Sequence, residues 1–278
     1  MTGTRWHYVI GDIHGCYEAY LRLERRIFIH AKKHGVKPRI VSVGDLVDRG
    51  PASAQVVDHF RKGLRAGTHQ AVLGNHEVMM LEILQTFAPF NFEAPGCAYP
   101  EWMPTLASDF ARRPQDSNFM QYCFRAQELW MSQGGLQTLQ SYGVDPFDPD
   151  TWRIPAPALR YLLRLPLVYQ APGLVVTHAL AKREDLQTVL QTDLEILRRE
   201  ASESLLWNRK PLLMRPDDTR VHISGHTPAR EVRRRLRGAC IQIDTACCFG
   251  HRLTAYCPES KSYLSVMAER KRAVKSPG

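Results

Sequence analysis

The stretch RIVSVGDLVDRG, residues 39–50, sets an apolar run from Arg39 to Val43 directly against a glycine, two aspartates, an arginine and a second glycine. A short apolar run bounded by glycine reads as a buried strand, and open α/β sheets gather their sites at the carboxyl ends of such strands. Four other places repeat the arrangement. Gly11-Asp12-Ile13-His14-Gly15 follows a strand over Trp6 to Ile10, Gly74-Asn75-His76-Glu77 follows Gln70 to Leu73, Thr177-His178 ends Leu174 to Thr177, and Gly225-His226-Thr227 follows Val221 to Ser224. Amphipathic stretches separate the first three: a helix over Tyr17 to His30, then one opened by Pro51 at the favoured first helical position and running through Phe60. A further helix begins near Glu77. This alternation predicts an α/β layer fold.

Further along, strand signals stop from about 86 to 166. Helical pieces such as Phe119 to Met131 and Leu159 to Leu165 make this a largely helical insertion or cap. Additional strands are expected over Ala239 to Ile243, Leu253 to Tyr256 and Tyr263 to Val266, and the short turn-rich links between these three suggest an antiparallel section. The expected organisation is a single domain over 1–268 with a disordered basic tail at 269–278.

Composition narrows the class. With 44% hydrophobic and 23% charged residues in 278, the chain is an ordinary globular one without a membrane-spanning run. The N-terminus goes straight into a strand without a signal-peptide pattern, so a cytoplasmic location is expected. Seven cysteines without a CxxC pair read as thiols, with Cys247 and Cys248 as packing residues. The net charge of +9 is concentrated in Arg230 to Arg237 and Arg270 to Lys275. Both runs read as solvated surface, with docking of nucleic acid or an acidic protein as the alternative. No aromatics interleave with them, so nucleic acid is not required as a partner.

Asp, Asn and His supply oxygen and nitrogen donors that suit Mn, Fe or Zn, and no thiolate cluster competes for the ion. A single glycine-rich strand end of this kind is usually a turn; five at the same edge point to a site. Asp12, His14, Asp45, Asn75, His178 and His226 exceed what one ion needs, whereas two ions sharing the Asp45 carboxylate would use all six. Two such ions about 3.5–4 Å apart can share a hydroxide and clamp an in-line displacement at phosphorus.

GDIHG, GDLVDRG and GNHE in this order, followed by isolated histidines, resemble the signature of the PPP family of phosphoprotein phosphatases. The bacterial members are the nearest in character: WMSQGGLQTLQSYG at 130–143, LLWNR at 205–209, GHTP at 225–228 and IDTACCFGHRLTAY at 243–256 extend the likeness over most of 8–266. The resemblance implies a calcineurin-like metallophosphoesterase sandwich of mixed β-sheets flanked by helices. It implies that Asp12, His14 and Asp45 hold one ion and Asp45, Asn75, His178 and His226 the other, with Mn2+ expected and Fe or Zn as alternatives. Asp48 and His76 would form the pair that protonates the leaving oxygen, and Arg49, Arg209 and Asn75 would contact the phosphate. The implied reaction is direct hydrolysis of a phosphomonoester by the bridging hydroxide, with phosphoserine or phosphothreonine in protein as first substrate. Symmetrical diadenosine tetraphosphate hydrolysis is the alternative, and a binding module without turnover is a third reading, against which the complete ligand set argues.

The chain departs from the family pattern at Leu180, where His-Ala-Gly is usual, and at Asn208 within LLWNR. His7, His30, His34, His59, His69, His222 and His251 read as core or surface residues, and Trp102, Trp130, Trp152 and Trp207 as packing. Asp244 stays outside the catalytic set.

Overall fold

The computed structural model describes residues 4–112, 118–192, 195–210, 214–215 and 219–269. The first part alternates as expected: β1 (Arg5–Ile10), α1 (Tyr17–Lys33), β2 (Lys37–Ser42), α2 (Ser53–Arg65), β3 (His69–Ala71) and α3 (Asn75–Phe87). A helical stretch follows, with α4 (Leu106–Ala111), α5 (Phe119–Trp130), α6 (Leu136–Ser141) and α7 (Ala156–Leu163). The chain then returns to strands through β4 (Val168–Ala171), β5 (Leu174–Thr177), α8 (Arg183–Gln191), α9 (Glu195–Trp207) and β6 (Val221–Ser224). It finishes with β7 (Arg233–Arg235), β8 (Cys240–Gln242), β9 (Arg252–Cys257) and β10 (Ser262–Met267).

Two mixed five-stranded sheets result, ordered β10-β9-β1-β2-β3 and β4-β5-β6-β8-β7. Strand alternation explains how they stack. Val9 and Val41 point one way and join Val43, Val72, Leu174, Val176, Ile223, Ile241 and Ile243 in a dry layer between the sheets. Tyr8, Ile10 and Ile40 point the other way, against Tyr20, Leu23 and Ile27 of α1 and Val56, Val57 and Phe60 of α2. Burying each such Val, Leu or Ile contributes about 1.5–3 kcal/mol, so the register of β1 and β2 is strongly enforced. On the far side, Val175 joins Leu186 of α8 and Leu205 of α9 in the outer core, which makes the fold an α/β sandwich of two mixed sheets flanked by helices. Among the described residues no strand lies between Ala71 and Val168, and the helices there pack on α2 and α3.

Three local expectations need correcting. Pro51 does not open α2: it sits in a turn, and the helix starts at Ser53 because residues 48–50 are used to present side chains to the strand ends. The strand at Ala239 to Ile243 does not belong with the last two. As β8 it runs parallel to β6 in the second sheet, while β9 and β10 form an antiparallel hairpin in the first. The arginine run contains an edge strand, β7, paired to β8 by its backbone alone; with Arg233, Arg234 and Arg235 all exposed it carries no apolar signal. Residues 270–278 of the basic tail lie outside the described residues. No helix among the described residues is long and apolar enough to cross a membrane. None of the seven cysteines is in a disulfide.

Candidate metal centre

β1, β2 and β3 run parallel in one sheet and β5 and β6 in the other, so the chain segments after them emerge together. Turning abruptly there places His14, Asp45, Asp48, Arg49 and His226 at φ values of 45°, 51°, 71°, 68° and 66°. Left-handed backbone at non-glycine residues costs on the order of 1–3 kcal/mol each and persists only where surroundings over-determine it. Glu77 supplies part of that determination. Fully buried, it accepts from the backbone N–H of Asp45, Leu46, Val47 and Gly74 at 2.7–3.1 Å, tying the turn after β2 to the start of α3. Gly225 and Gly74 are required by close approach, since a Cβ would overlap the carboxylates of Asp12 and Asp45 respectively.

The donors converge on Asp45. His14 is held through Nδ1, 2.9 Å from the Val47 carbonyl, and turns Nε2 to Asp45 Oδ2 at 3.4 Å. His178 repeats the device: Nδ1 donates to the Val43 carbonyl at 2.9 Å, and Nε2 faces Asn75 Oδ1 at 2.8 Å and Asp45 Oδ1 at 3.4 Å. A carbonyl can only accept, so each Nδ1 carries the proton and each Nε2 presents a lone pair to other acceptors. Asn75 Oδ1 also lies 3.0 Å from His226 Nδ1, and the backbone N–H of His226 donates to Asp12 Oδ2 at 3.0 Å. Burial holds the three imidazoles neutral, lowering His14 and His226 to about 3 and His178 below its usual range. Burial, then the neighbouring Asp244 and Asp45 carboxylates, raise Asp12. Lone pairs and carboxylates facing one another without a lysine or arginine ion pair among the described residues are what a divalent cation resolves, and imidazoles anchored to carbonyls are typical of metal ligands. Two groups, His14-Asp45-His76 and Asp12-Asp45-His178, have ligand atoms within 4.8 Å of one another and share Asp45. The donors gathered at Asp45 therefore fit a divalent metal centre, with His76 of the first group engaged instead by Asp48.

Beside it, Asp48 Oδ2 accepts from His76 Nδ1 at 2.7 Å and from the indole of Trp130 at 3.1 Å, while Oδ1 accepts from the Thr138 hydroxyl at 2.7 Å. Burial disfavours charge on His76, but Asp45 and the bond to Asp48 outweigh it and raise its pKa. Its Nε2 lies 3.2 Å from Nη2 of Arg49, which also reaches Gln133 Oε1 and lies over the Phe249 ring with 4.9 Å to its centroid. Guanidinium only donates, so in this arrangement His76 Nε2 accepts.

All the expected site residues on strand ends come together, and Arg209 follows the end of α9. It is exposed beyond α9, and its charge is felt at His178, His226 and Asp244. The two departures from the family pattern meet: the Asn208 amide donates to the Leu180 carbonyl at 2.6 Å, bracing the turn after His178. Sequence reasoning missed the work of Glu77, Trp130, Gln133 and Thr138. Trp130 packs, as expected, but also orients Asp48; Trp207, expected to pack, is 42% exposed with its ring 6.2 Å from that of His226. Asp244, buried, accepts from the Ala246 N–H and abuts Asp12. The advance signals for these residues were that Glu77 closes the GNHE motif and that the 130–143 and 243–256 stretches matched the family without carrying an obvious ligand.

A family model described as calcineurin-like phosphoesterase matches residues 8–252. A symmetrical bis(5'-nucleosyl)-tetraphosphatase of Shewanella sediminis is 36% identical over 28% of this chain and 26% of its own length, so this chain spans about a quarter of that relative. The asymmetrical bis(5'-nucleosyl)-tetraphosphatase PrpE of Bacillus velezensis is 23% identical over 89% of this chain and 87% of its own. Serine/threonine-protein phosphatase 1 of Salmonella typhimurium is 37% identical over 27% of this chain and 31% of its own. Among solved structures, a candidate diadenosine tetraphosphatase superposes with a TM-score of 0.53 at 20% identity, covering 97% of this chain and 95% of that one. A cold-active protein-tyrosine phosphatase of a psychrophilic Shewanella gives 0.54 at 13% identity, covering 95% and 80%. These structural likenesses speak for the fold.

Proposed function

The chain belongs to the calcineurin-like phosphoesterase family, and from that premise we propose that it hydrolyses the phosphoanhydride of a dinucleoside polyphosphate with two divalent cations, Mn2+ first among them. The observation that carries hydrolysis is the convergence of neutral imidazole lone pairs, Asn75 Oδ1 and the Asp12 carboxylate around that of Asp45, with the Asp48-His76 pair alongside. Cations held by Asp12, His14, Asp45, Asn75, His178 and His226 would lower the pKa of a water and offset charge on the phosphoryl oxygens. The remaining steps fall to the chain itself. Arg49 swings from His76 onto the phosphate, freeing Nε2 of His76 to carry a proton to the leaving oxygen, while Asp48 holds Nδ1–H and stabilises the imidazolium. Arg209, on the exposed segment after α9, is the second guanidinium of the same reading, and Asn75 the polar contact between ligand shell and phosphate.

Two facts support the nucleotide. The relative aligned over most of both chains is a bis(5'-nucleosyl)-tetraphosphatase, and Trp207 and Phe249, 42% and 56% exposed, offer ring faces beside His226 and Arg49 on which bases can stack. Phosphoserine or phosphothreonine in protein is the second reading, favoured by the Salmonella relative. The helical stretch at 86–166 would shape the entrance of a single catalytic domain over 1–268. A cytoplasmic setting belongs to the same reading and suits seven cysteines outside disulfides. Turnover of diadenosine tetraphosphate, a phosphopeptide and an aryl phosphate, compared after chelation and return of Mn2+, tests it. The proposal expects the highest kcat/KM on diadenosine tetraphosphate. A preference for the phosphopeptide would transfer the assignment to the second reading, and absence of turnover on all three would leave only a binding module.

A further inference from the structure

Glu24, His59 and His69 come from α1, α2 and the first residue of β3, and they meet away from the strand ends. Glu24 Oε1 lies 3.0 Å from Nε2 of His59 and 3.0 Å from Nε2 of His69. The Tyr20 hydroxyl completes the group, 2.7 Å from His69 Nε2 and 3.1 Å from Glu24 Oε1. Because β3 begins at His69, this cluster sits at the opposite end of that strand from Asn75 and His76.

The Thr68 hydroxyl lies 3.2 Å from the Gly63 carbonyl and 2.8 Å from His69 Nδ1. Both Nε2 atoms reach the Glu24 carboxylate; burial disfavours its charge, but their hydrogen bonds to it outweigh that and lower Glu24 to about 2. Tyr17 sits at Nδ1 of His59 at 3.1 Å in the corresponding place, and His59 Nε2 faces the same carboxylate oxygen. Imidazoles fixed through Nδ1 by outer oxygens, with Nε2 atoms converging on one carboxylate, are the arrangement of a two-histidine, one-carboxylate metal site. The separations of 3.0 Å are also near those of coordinated donors, which are about 3.3 Å apart in a tetrahedron around zinc.

The surroundings are built to this end. Gly63 interrupts α2, at a cost of about 1 kcal/mol against alanine, and a Cβ there would overlap the His69 ring. His69 is nearly closed off, while His59 and Glu24 keep 23% and 14% of their side chains exposed, leaving a way in from solvent. We propose that Glu24, His59 and His69 bind a Zn2+ ion, with Tyr20 or a water as fourth ligand, clamping α1 and α2 to the edge strand β3. The site is separate from the strand-end centre and does not rest on the proposed hydrolysis.

The full chain carrying Asp45→Asn and His178→Asn, which disable the strand-end centre, is stripped of metal and titrated with Zn2+ alone. Bound zinc is counted after desalting, and visible absorption of Co2+ serves as a second probe. Retention of a single Zn2+ per chain and a rise in Tm on its addition are expected. Adding His59→Gln should weaken binding by about 100-fold, and Tyr17→Phe, which releases the orienting oxygen, by about 10-fold. Should the background variant not fold, zinc per chain is compared between wild type and His59→Gln, where the expected difference is one ion. A folded chain that takes up no zinc beyond the strand-end centre, or retention indifferent to His59→Gln, would overturn the site and leave a hydrogen-bonded cluster.

Discussion

His76 has each nitrogen committed: Nδ1 to Asp48, and Nε2 to a guanidinium that must leave before a proton can be delivered. His76→Ala should therefore lower turnover of an alkyl phosphate by about 10²–10⁴-fold and that of an aryl phosphate much less, since the better leaving group needs less protonation. Equal losses on both substrates would show that the residue serves the metals or the fold instead. Asp48→Asn should follow the same pattern, because it removes the charge that favours imidazolium. Arg49→Lys should recover part of the efficiency lost in Arg49→Ala while both chains retain their metal content, a point charge being a poor copy of a two-pronged donor. Measuring kcat/KM together with bound metal separates this from a ligand role. The candidate ligands were legible in the sequence because each follows an apolar strand. Glu77, Trp130 and Thr138 could not be assigned the same way: apart from Gly74, the partners they hold at the turn after β2 lie 30 or more residues away, and no periodicity reports a hydrogen bond made through space.

The 131–135 segment between α5 and α6 is the element that keeps Asp48 and Arg49 in their left-handed turn. Gly134, at φ 113°, presses its backbone against Arg49, and a Cβ would overlap the Arg49 N. Gly134→Ala should cost about 1–3 kcal/mol in stability and, by displacing the Arg49 guanidinium, reduce kcat/KM by on the order of 10²-fold without loss of metal. Chemical denaturation and metal analysis of the variant check the two halves; a chain of wild-type efficiency would show that the kink is incidental. Elements were legible where apolar pattern and burial coincide, as in β5 and β6, whose expected and observed limits are identical. They were misplaced where neighbours decide. β7 is three exposed arginines that become a strand only by pairing with β8, and β8 itself joined the second sheet because its apolar face, Ile241, belongs to the layer between the sheets.

At the scale of the whole molecule, the strand-end centre joins the two sheets, with Asp12, His14 and Asp45 delivered by one and His178 and His226 by the other. Ions bound across that seam would stabilise the folded chain by mass action, about 2.7 kcal/mol at a hundredfold excess over Kd for each site. Chelation should lower Tm, Mn2+ should restore it, and Asp45→Asn should blunt the response; a Tm indifferent to Mn2+ in the wild type would separate the centre from stability. By itself the sequence determined the α/β class and the helical stretch and pointed to the six candidate donors, because apolar runs specify strands and parallel strands bring their carboxyl ends to one edge, while the Asp48-His76-Arg49 group was indicated by the resemblance of its motifs to the family. Only the tertiary structure decided which sheet each late strand joins, that Arg209 stands exposed, that Asn208 braces Leu180, and that Glu24, His59 and His69 share one point. Those outcomes depend on burial and on distances between segments far apart in the chain, which side-chain order along a sequence does not encode locally.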